Sequence, residues 1–307
     1  MFKLKKLTKV FDLKVLAFCL TLLAIITNYY SFEEKCVKHV TDKLPVSINS
    51  KKLNRNDKII VIGGTEFSGG YLMKDILNSH PEIYCQGTKN EFNQILRSSN
   101  SWKAGKEEMR LEHAKITNQI IDSSIASFLL ETLGESAKMG KTLCIKDYSV
   151  FVHANTIARL FPNTKYILMI RDPRTSIYLK FKFQNETDNT QIGKEFEIWR
   201  VNMESYYAYC LKAGSKYCLP VFYEKLKSDK SYVEHKKILK FLNIPWNDNL
   251  LNYEKNSDEF NAKLSEIENS VDTDTLSRWI RSLAGEVLFK IDKISPFFQQ
   301  LGYSISI

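Results

Sequence analysis

Residues Lys58 to Pro81 read KIIVIGGTEFSGGYLMKDILNSHP. Ile59, Ile60, Val61 and Ile62 make a short β-branched apolar run, which suits a buried strand of a parallel sheet. Gly63, Gly64, Gly69 and Gly70 then mark a tight loop, and Leu72, Met73, Ile76 and Leu77 recur at helical spacing. Strand, glycine loop and helix in that order aim backbone N–H groups and a helix N-terminus at an anion. A phosphate has to approach the backbone closely there, and a Cβ would block it. No Gly-Lys-Ser/Thr follows, so this is not a full P-loop, which argues against a nucleoside-triphosphate kinase. On this stretch alone, an ordinary glycine turn is the competing reading.

Downstream segments place further strand ends beside the loop. Glu107 to Leu133 has a helical pattern, with Ile116, Ile120, Ile121, Ile125 and Leu129 on one side. Leu143-Cys144-Ile145 reads as a second short strand, ending at Lys146-Asp147. Ala154 to Leu160 predicts a helix closed by Phe161-Pro162-Asn163. Lys165 to Ile170 is a buried strand that runs directly into Arg171-Asp172-Pro173-Arg174. Strands separated by helical stretches imply an α/β fold with a parallel sheet. Ligands of such sheets sit at the carboxyl ends of the strands. The glycine loop, Lys146, and Arg171 with Arg174 therefore converge in principle. From Tyr232 onward the pattern is amphipathic helix. Ile238, Leu239, Phe241 and Leu242 pack one segment, and Trp279, Val287, Leu288, Ile291, Ile294, Phe297 and Leu301 read as core-facing.

The first 14 residues carry Lys3, Lys5, Lys6, Lys9 and Lys14, and residues 15–32 hold no charge. Roughly 18 residues is the short end of what spans a bilayer. With the lysines ahead of it, this run predicts a signal anchor whose tail stays cytoplasmic and whose remainder is translocated. A cleaved signal peptide is the rival, but no small-x-small cleavage site precedes Tyr29. Residues 33–57 are polar and read as a stem, with the globular domain over 58–307. That domain keeps Cys85, Cys144, Cys210 and Cys218, an even set that suits two disulfides in a translocated chain. Cys210 and Cys218 flank Gly214 closely, as a local bridge at a helix end would, which leaves Cys85 with Cys144; four free thiols is the alternative. No Cys/His spacing predicts zinc, and no metal is expected. Asn185-Glu186-Thr187 is a glycosylation sequon. The formal net charge is +9, yet no arginine-rich run or RNA-binding signature accompanies it, so an anionic substrate or cofactor is favoured over nucleic acid.

The segments HPEIYCQG, LCIKD, RLFPNTKYILMIRDPR, CLKAGSKYCLPVFYEKL and LSRW resemble those of protein-tyrosine sulfotransferases. The resemblance runs from about Ile59 to Tyr303, with the motifs in family order. It implies a P-loop-like sulfotransferase fold: a central parallel sheet flanked by helices, behind an N-terminal transmembrane helix. It implies transfer of a sulfuryl group from 3'-phosphoadenosine 5'-phosphosulfate (PAPS) to tyrosines in acidic contexts of secretory-pathway proteins. A single-pass type II enzyme of the Golgi membrane, its catalytic domain luminal, goes with that reading, and an exposed part of the C-terminal third becomes a candidate homodimer interface. By position, Phe67, Ser68, Gly69, Gly70 and Tyr71 are the 5'-phosphosulfate loop, and Lys146 the cation beside the transferring group. Arg171 falls at the 3'-phosphate ligand and Tyr223 at a nucleotide contact. Ser270 falls near the sulfonate, and Arg278 where the family has a PAPS-binding lysine.

The chain also departs from the pattern. The family loop reads Pro-Arg-Ser-Gly-Thr-Thr, whereas Glu66-Phe67-Ser68-Gly69-Gly70-Tyr71 stands here. Phe67 occupies the arginine position and Glu66 adds a negative charge beside the anion site. Thr88 stands where the family has its catalytic glutamate and is not itself a competent base. Asn90 stands at a positioning arginine and Leu179 at a phosphate-binding serine. Between Ser270 and Leu276 the chain is about seven residues shorter than the family pattern, part of a nucleotide-binding loop. Glu82 and Glu91 are candidate replacement carboxylates, although Glu82 reads better as a cap of the His80-Pro81 turn. Lys74 and Lys89 are candidate replacement charges. Two readings follow: a tyrosylprotein sulfotransferase with a rearranged site, or a weak or inactive relative that binds nucleotide, acidic peptide or an active partner.

Overall fold

The computed structural model describes residues 53–87, 90–133, 140–185, 188–256, 273–283 and 285–303. The anchor and most of the stem predicted upstream, together with Thr88, Lys89 and Ser270, lie outside them. Among the described residues no helix is long and apolar enough to cross a membrane.

Five parallel strands make the central sheet of the described residues, in the order β2-β3-β1-β4-β5. They are β1 (Ile59–Gly64), β2 (Ile83–Gln86), β3 (Thr142–Lys146), β4 (Lys165–Ile170) and β5 (Cys218–Phe222). Pairing is in register at Ile60 with Cys144 and Lys165, so β1 is central. Its six residues are all buried, as its unbroken apolar run requires. Alternate residues feed two cores. Ile59, Val61, Leu143, Ile145, Tyr166 and Leu168 face one, and Ile60, Ile62, Cys144, Ile167 and Met169 face the other.

The helices are α1 (Gly70–Asn78), α2 (Asn90–Trp102), α3 (Gly105–His113), α4 (Asn118–Leu133), α5 (Ala154–Leu160) and α6 (Pro173–Gln184). The long α7 (Asn189–Ala213) follows, then α8 (Tyr223–Leu226), α9 (Ser231–Leu242), α10 (Thr273–Ser282) and α11 (Gly285–Gln300). Apolar residues of α1 and α9 pack on the Ile60 face, and those of α4, α5, α7 and α11 on the Ile59 face.

The helix predicted over 107–133 is two helices. Lys115 adopts a left-handed φ of 62°. Ile116 N–H donates to Leu111 C=O at 2.8 Å and Lys115 N–H to Glu112 C=O at 2.9 Å. That pair of bonds closes α3 in a Schellman turn and resets the helical phase. Ile121, Ile125 and Leu129 are therefore buried while Ile116 and Ile120 are exposed. Near the C-terminus Val287, Ile291 and Leu301 are buried as expected, and Phe298, which the pattern did not single out, is buried with them. The side chain of Ile294 lies outside the described set.

Both expected disulfides form. Cys85 and Cys144 sit opposite one another on β2 and β3, and the bridge joins them. Cys210 and Cys218 tie the end of α7 to the start of β5. Residues 53–57, read from the sequence as the end of a stem, already touch the folded body. Leu53 packs on the core, and Arg55 Nε donates to Leu160 C=O at 2.9 Å.

Candidate active site

The sheet order creates the site. After β1 the chain turns to one side of the sheet, toward β2 and β3; after β4 it turns to the other, toward β5. Adjacent strands whose exits diverge leave a crevice at their carboxyl ends, where ligands of open α/β sheets bind. The loop leaving β1 is Thr65–Gly69, and the residue leaving β4 is Arg171.

The loop needs its glycine at position 69. Gly69 has φ +96°, and a Cβ there would lie 2.4 Å from Tyr223 Cδ2. It is the N-cap of α1, whose first turn holds no acidic side chain. The first helical bond runs from Met73 N–H to Gly69 C=O at 3.0 Å. Amides earlier in the turn have no intrahelical acceptor and lie at the positive end of the helix dipole. Phe67 is also left-handed, with φ 57°, and its ring packs on Phe183 at 5.8 Å. The buried Ser68 hydroxyl donates to Thr65 C=O at 2.7 Å, so it braces the loop from within.

Two cations stand against this loop. Lys146, the last residue of β3, is 4% exposed. Its Nζ lies over the Tyr71 ring, 3.5 Å from the centroid, and its Cε would be 3.2 Å from a Cβ on Gly70. Burial lowers its ammonium to about 8; Asp147 and Glu66 oppose the shift and Lys74 reinforces it. Arg171, at the end of β4, is buried as well. Its Nη1 donates to Phe67 C=O at 3.2 Å, and its guanidinium carbon sits 3.7 Å above the Tyr223 ring. Neighbouring Asp172 caps α6 and pairs with Arg174 at 2.6 Å, so Arg174 belongs to that cap.

The loop, Lys146, Arg171 and Tyr223 thus form one cluster. Arg278 stands apart from it in character: it is exposed on α10 and reaches Thr275 Oγ1 at 3.5 Å. Glu82 is an exposed residue at the amino end of β2, the wrong end of the sheet for a replacement base, and the side chain of Glu91 is outside the described set. Sequence reasoning missed the partners of Glu66. Lys180 of α6 binds its carboxylate at 2.8 Å and Glu195 of α7 at 2.9 Å. Burial, with the nearby Glu66 and Asp147 charges, holds the Tyr148 phenol above its ordinary value. Residues more than a hundred positions apart carry no sequence signal of such contact.

Residues 60–248 match the family model described as "Sulfotransferase family". The chain is 33% identical over 257 residues to protein-tyrosine sulfotransferase 2 of Gallus gallus, covering 80% of this chain and 69% of that protein. It is 32% identical over 267 residues to protein-tyrosine sulfotransferase 1 of Danio rerio, covering 81% and 73%. Among solved structures, the sulfotransferase domain of the Synechococcus PCC 7002 olefin synthase superposes with a TM-score of 0.55 at 20% identity. That match spans 84% of this chain and all of the other, a likeness of fold. With the crevice, its glycine loop and its two buried cations in view, these matches have one reading: the chain belongs to the sulfotransferase family, among the protein-tyrosine sulfotransferases.

Proposed function

We propose that this protein transfers a sulfuryl group from PAPS to tyrosine hydroxyls of protein substrates. One observation carries the proposal: Lys146 and Arg171 both pack against the glycine loop at the carboxyl ends of β1, β3 and β4. The cradle fits a nucleotide with two anionic ends. A Cβ at Gly69 would fill space already bounded by Tyr223, and the start of α1 carries no acid to compete with a bound anion. PAPS supplies an activated sulfuryl group on a phosphate leaving group. First-turn amides of α1 hold its 5' end, and the Lys146 ammonium offsets negative charge as the bridging oxygen departs. The Arg171 guanidinium, oriented by Tyr223 and Phe67 C=O, presents its fork to the 3'-phosphate. The two tyrosine sulfotransferase relatives favour this over the binding-only reading.

The finer parts of the proposal rest on sequence. Tyrosines in acidic segments of secretory proteins suit a chain of net charge +9. A type II orientation, with this domain luminal, is supported by the lysines ahead of the apolar run 15–32 and by two disulfides, and a Golgi location by the family likeness alone. Asn185 is exposed at the end of α6, which suits glycosylation there. Homodimerisation through the C-terminal third is proposed on the family likeness alone.

The test incubates the purified luminal domain with sulfur-labelled PAPS and an acidic tyrosine peptide. Label is expected on tyrosine and absent from a phenylalanine control peptide. Binding of the desulfated nucleotide without any transfer would overturn the proposal in favour of a nucleotide-binding relative.

A further inference from the structure

Tyrosine sulfation releases a phenolic proton, and the family's glutamate is a threonine here, Thr88. A threonine hydroxyl does not accept a proton at neutral pH. Another carboxylate is needed at the acceptor side of the crevice. Contacts place several beside the site. Asp147 is 2% exposed, and its Oδ1 already accepts from Ser149 N–H at 2.8 Å and Ser149 Oγ at 2.7 Å. Asp172 is taken up by Arg174 and the cap of α6. Glu224 accepts from Asp172 N–H and from the Tyr303 hydroxyl, each at 3.0 Å. Glu66 differs from all three. It alone of the four lies in the glycine loop itself, where its side chain is 38% exposed; Glu224 is exposed as well but belongs to α8.

We propose that Glu66 is the general base of this enzyme, taking the proton from the acceptor tyrosine hydroxyl. The inference rests on the transferase reading above. Its geometry is that of a fixed but open carboxylate. Lys180 holds it from α6 at 2.8 Å and is itself held by Glu195 from α7 at 2.9 Å. Two carboxylates share that one ammonium, so the trio keeps a net negative charge beside Lys146. Tyr148, two residues beyond Lys146, is 44% exposed. Its ring centre is 5.7 Å from the Lys146 ammonium. The charged groups facing Glu66 are Lys180, Glu195, Lys146 and, through Lys146, Lys74 of α1.

The step balances without a further reactant. The acceptor O–H bond breaks and its proton passes to a Glu66 oxygen. A phenolic O–S bond forms as the bridging S–O bond of PAPS breaks, and that electron pair leaves on the 5'-phosphate. Glu66 later returns the proton to solvent. Lys180 is a positioning residue that fixes the carboxylate.

Single-turnover sulfation is measured for the unmodified protein, Glu66→Gln and Glu66→Ala, with affinity for desulfated PAPS measured on each. The expected result is a ~10²–10³-fold slower transfer in Glu66→Gln with nucleotide affinity changed less than about threefold. Added formate, a small carboxylate, should restore part of the rate of Glu66→Ala and none of that of Lys146→Met. Unchanged transfer in Glu66→Gln overturns the proposal. Loss of nucleotide binding together with rate, unrescued by formate, makes Glu66 a loop anchor and overturns it equally. No transfer by the unmodified protein overturns the transferase reading instead, and the base assignment with it.

Discussion

Replacing Lys146 by methionine removes a buried charge and keeps most of the side-chain volume. Lys146 is 4% exposed, and its ammonium is lowered from 10.5 to about 8, chiefly by burial. At 1.36 kcal/mol for each tenfold change in proton affinity, holding it charged at pH 7 costs ~3 kcal/mol. Its contact with the Tyr71 ring at 3.5 Å returns ~1 kcal/mol. Lys146→Met should therefore stabilise the ligand-free protein by about 2 kcal/mol at pH 7. Transfer should fall by ~10²-fold or more, because the departing oxygen loses its cation. The sign with pH follows from linkage. Between about pH 8 and 10.5 the folded lysine has lost its proton while the unfolded one keeps it. The unfolded state then binds more protons, so the stability of the natural protein rises with pH across that window. Methionine has no such slope, and the gap between the two proteins should close there. Denaturant unfolding at pH 7, 8, 9 and 10 reads this directly. A variant less stable than the parent, or a gap independent of pH, would refute the reasoning.

The remaining predictions concern the cradle and its frame. Gly69→Ala places a Cβ 2.4 Å from Tyr223 Cδ2 at φ +96°; it should cost ~2 kcal/mol in thermal or denaturant unfolding and weaken binding of the desulfated nucleotide in calorimetry. Arg171→Lys should erase most of the preference for that nucleotide over adenosine 5'-monophosphate, a loss of ~10–100-fold in the ratio of dissociation constants. Converting Cys85 and Cys144 to alanine removes a bridge of sequence separation 59, against 8 for Cys210 and Cys218. From loop closure alone the first pair should cost ~4 kcal/mol and the second ~2.5 kcal/mol in urea unfolding, and the reverse order would discount the chain-entropy view.

The parts legible in the sequence were those written in local pattern. β1, β4 and α5 follow from runs whose ends carry their own signals: glycines after Ile62, Arg171-Asp172-Pro173 after Ile170, and Phe161-Pro162 after Leu160. Lys146 and Arg171 could be placed together because each ends a strand of a parallel sheet, and such ends share one side. Other elements lack that pattern. β2 is four residues long, and β5 carries Pro220 within it, the mark of an edge strand. The break at Lys115 has no glycine or proline to announce it; a lysine takes the left-handed position. In the site, Glu66 read as an unfavourable charge because its counter-ion, Lys180, lies on a helix far along the chain. Arg278 was placed by alignment to a motif, and its exposed position on α10 was not readable from LSRW alone.

A crystal structure with the desulfated nucleotide tests the central geometry most directly. The account predicts the 5'-phosphate on the first-turn amides of α1 within reach of Lys146 Nζ, and the 3'-phosphate on the Arg171 guanidinium. A nucleotide bound elsewhere, or bound here with Arg171 making no phosphate contact, would contradict it.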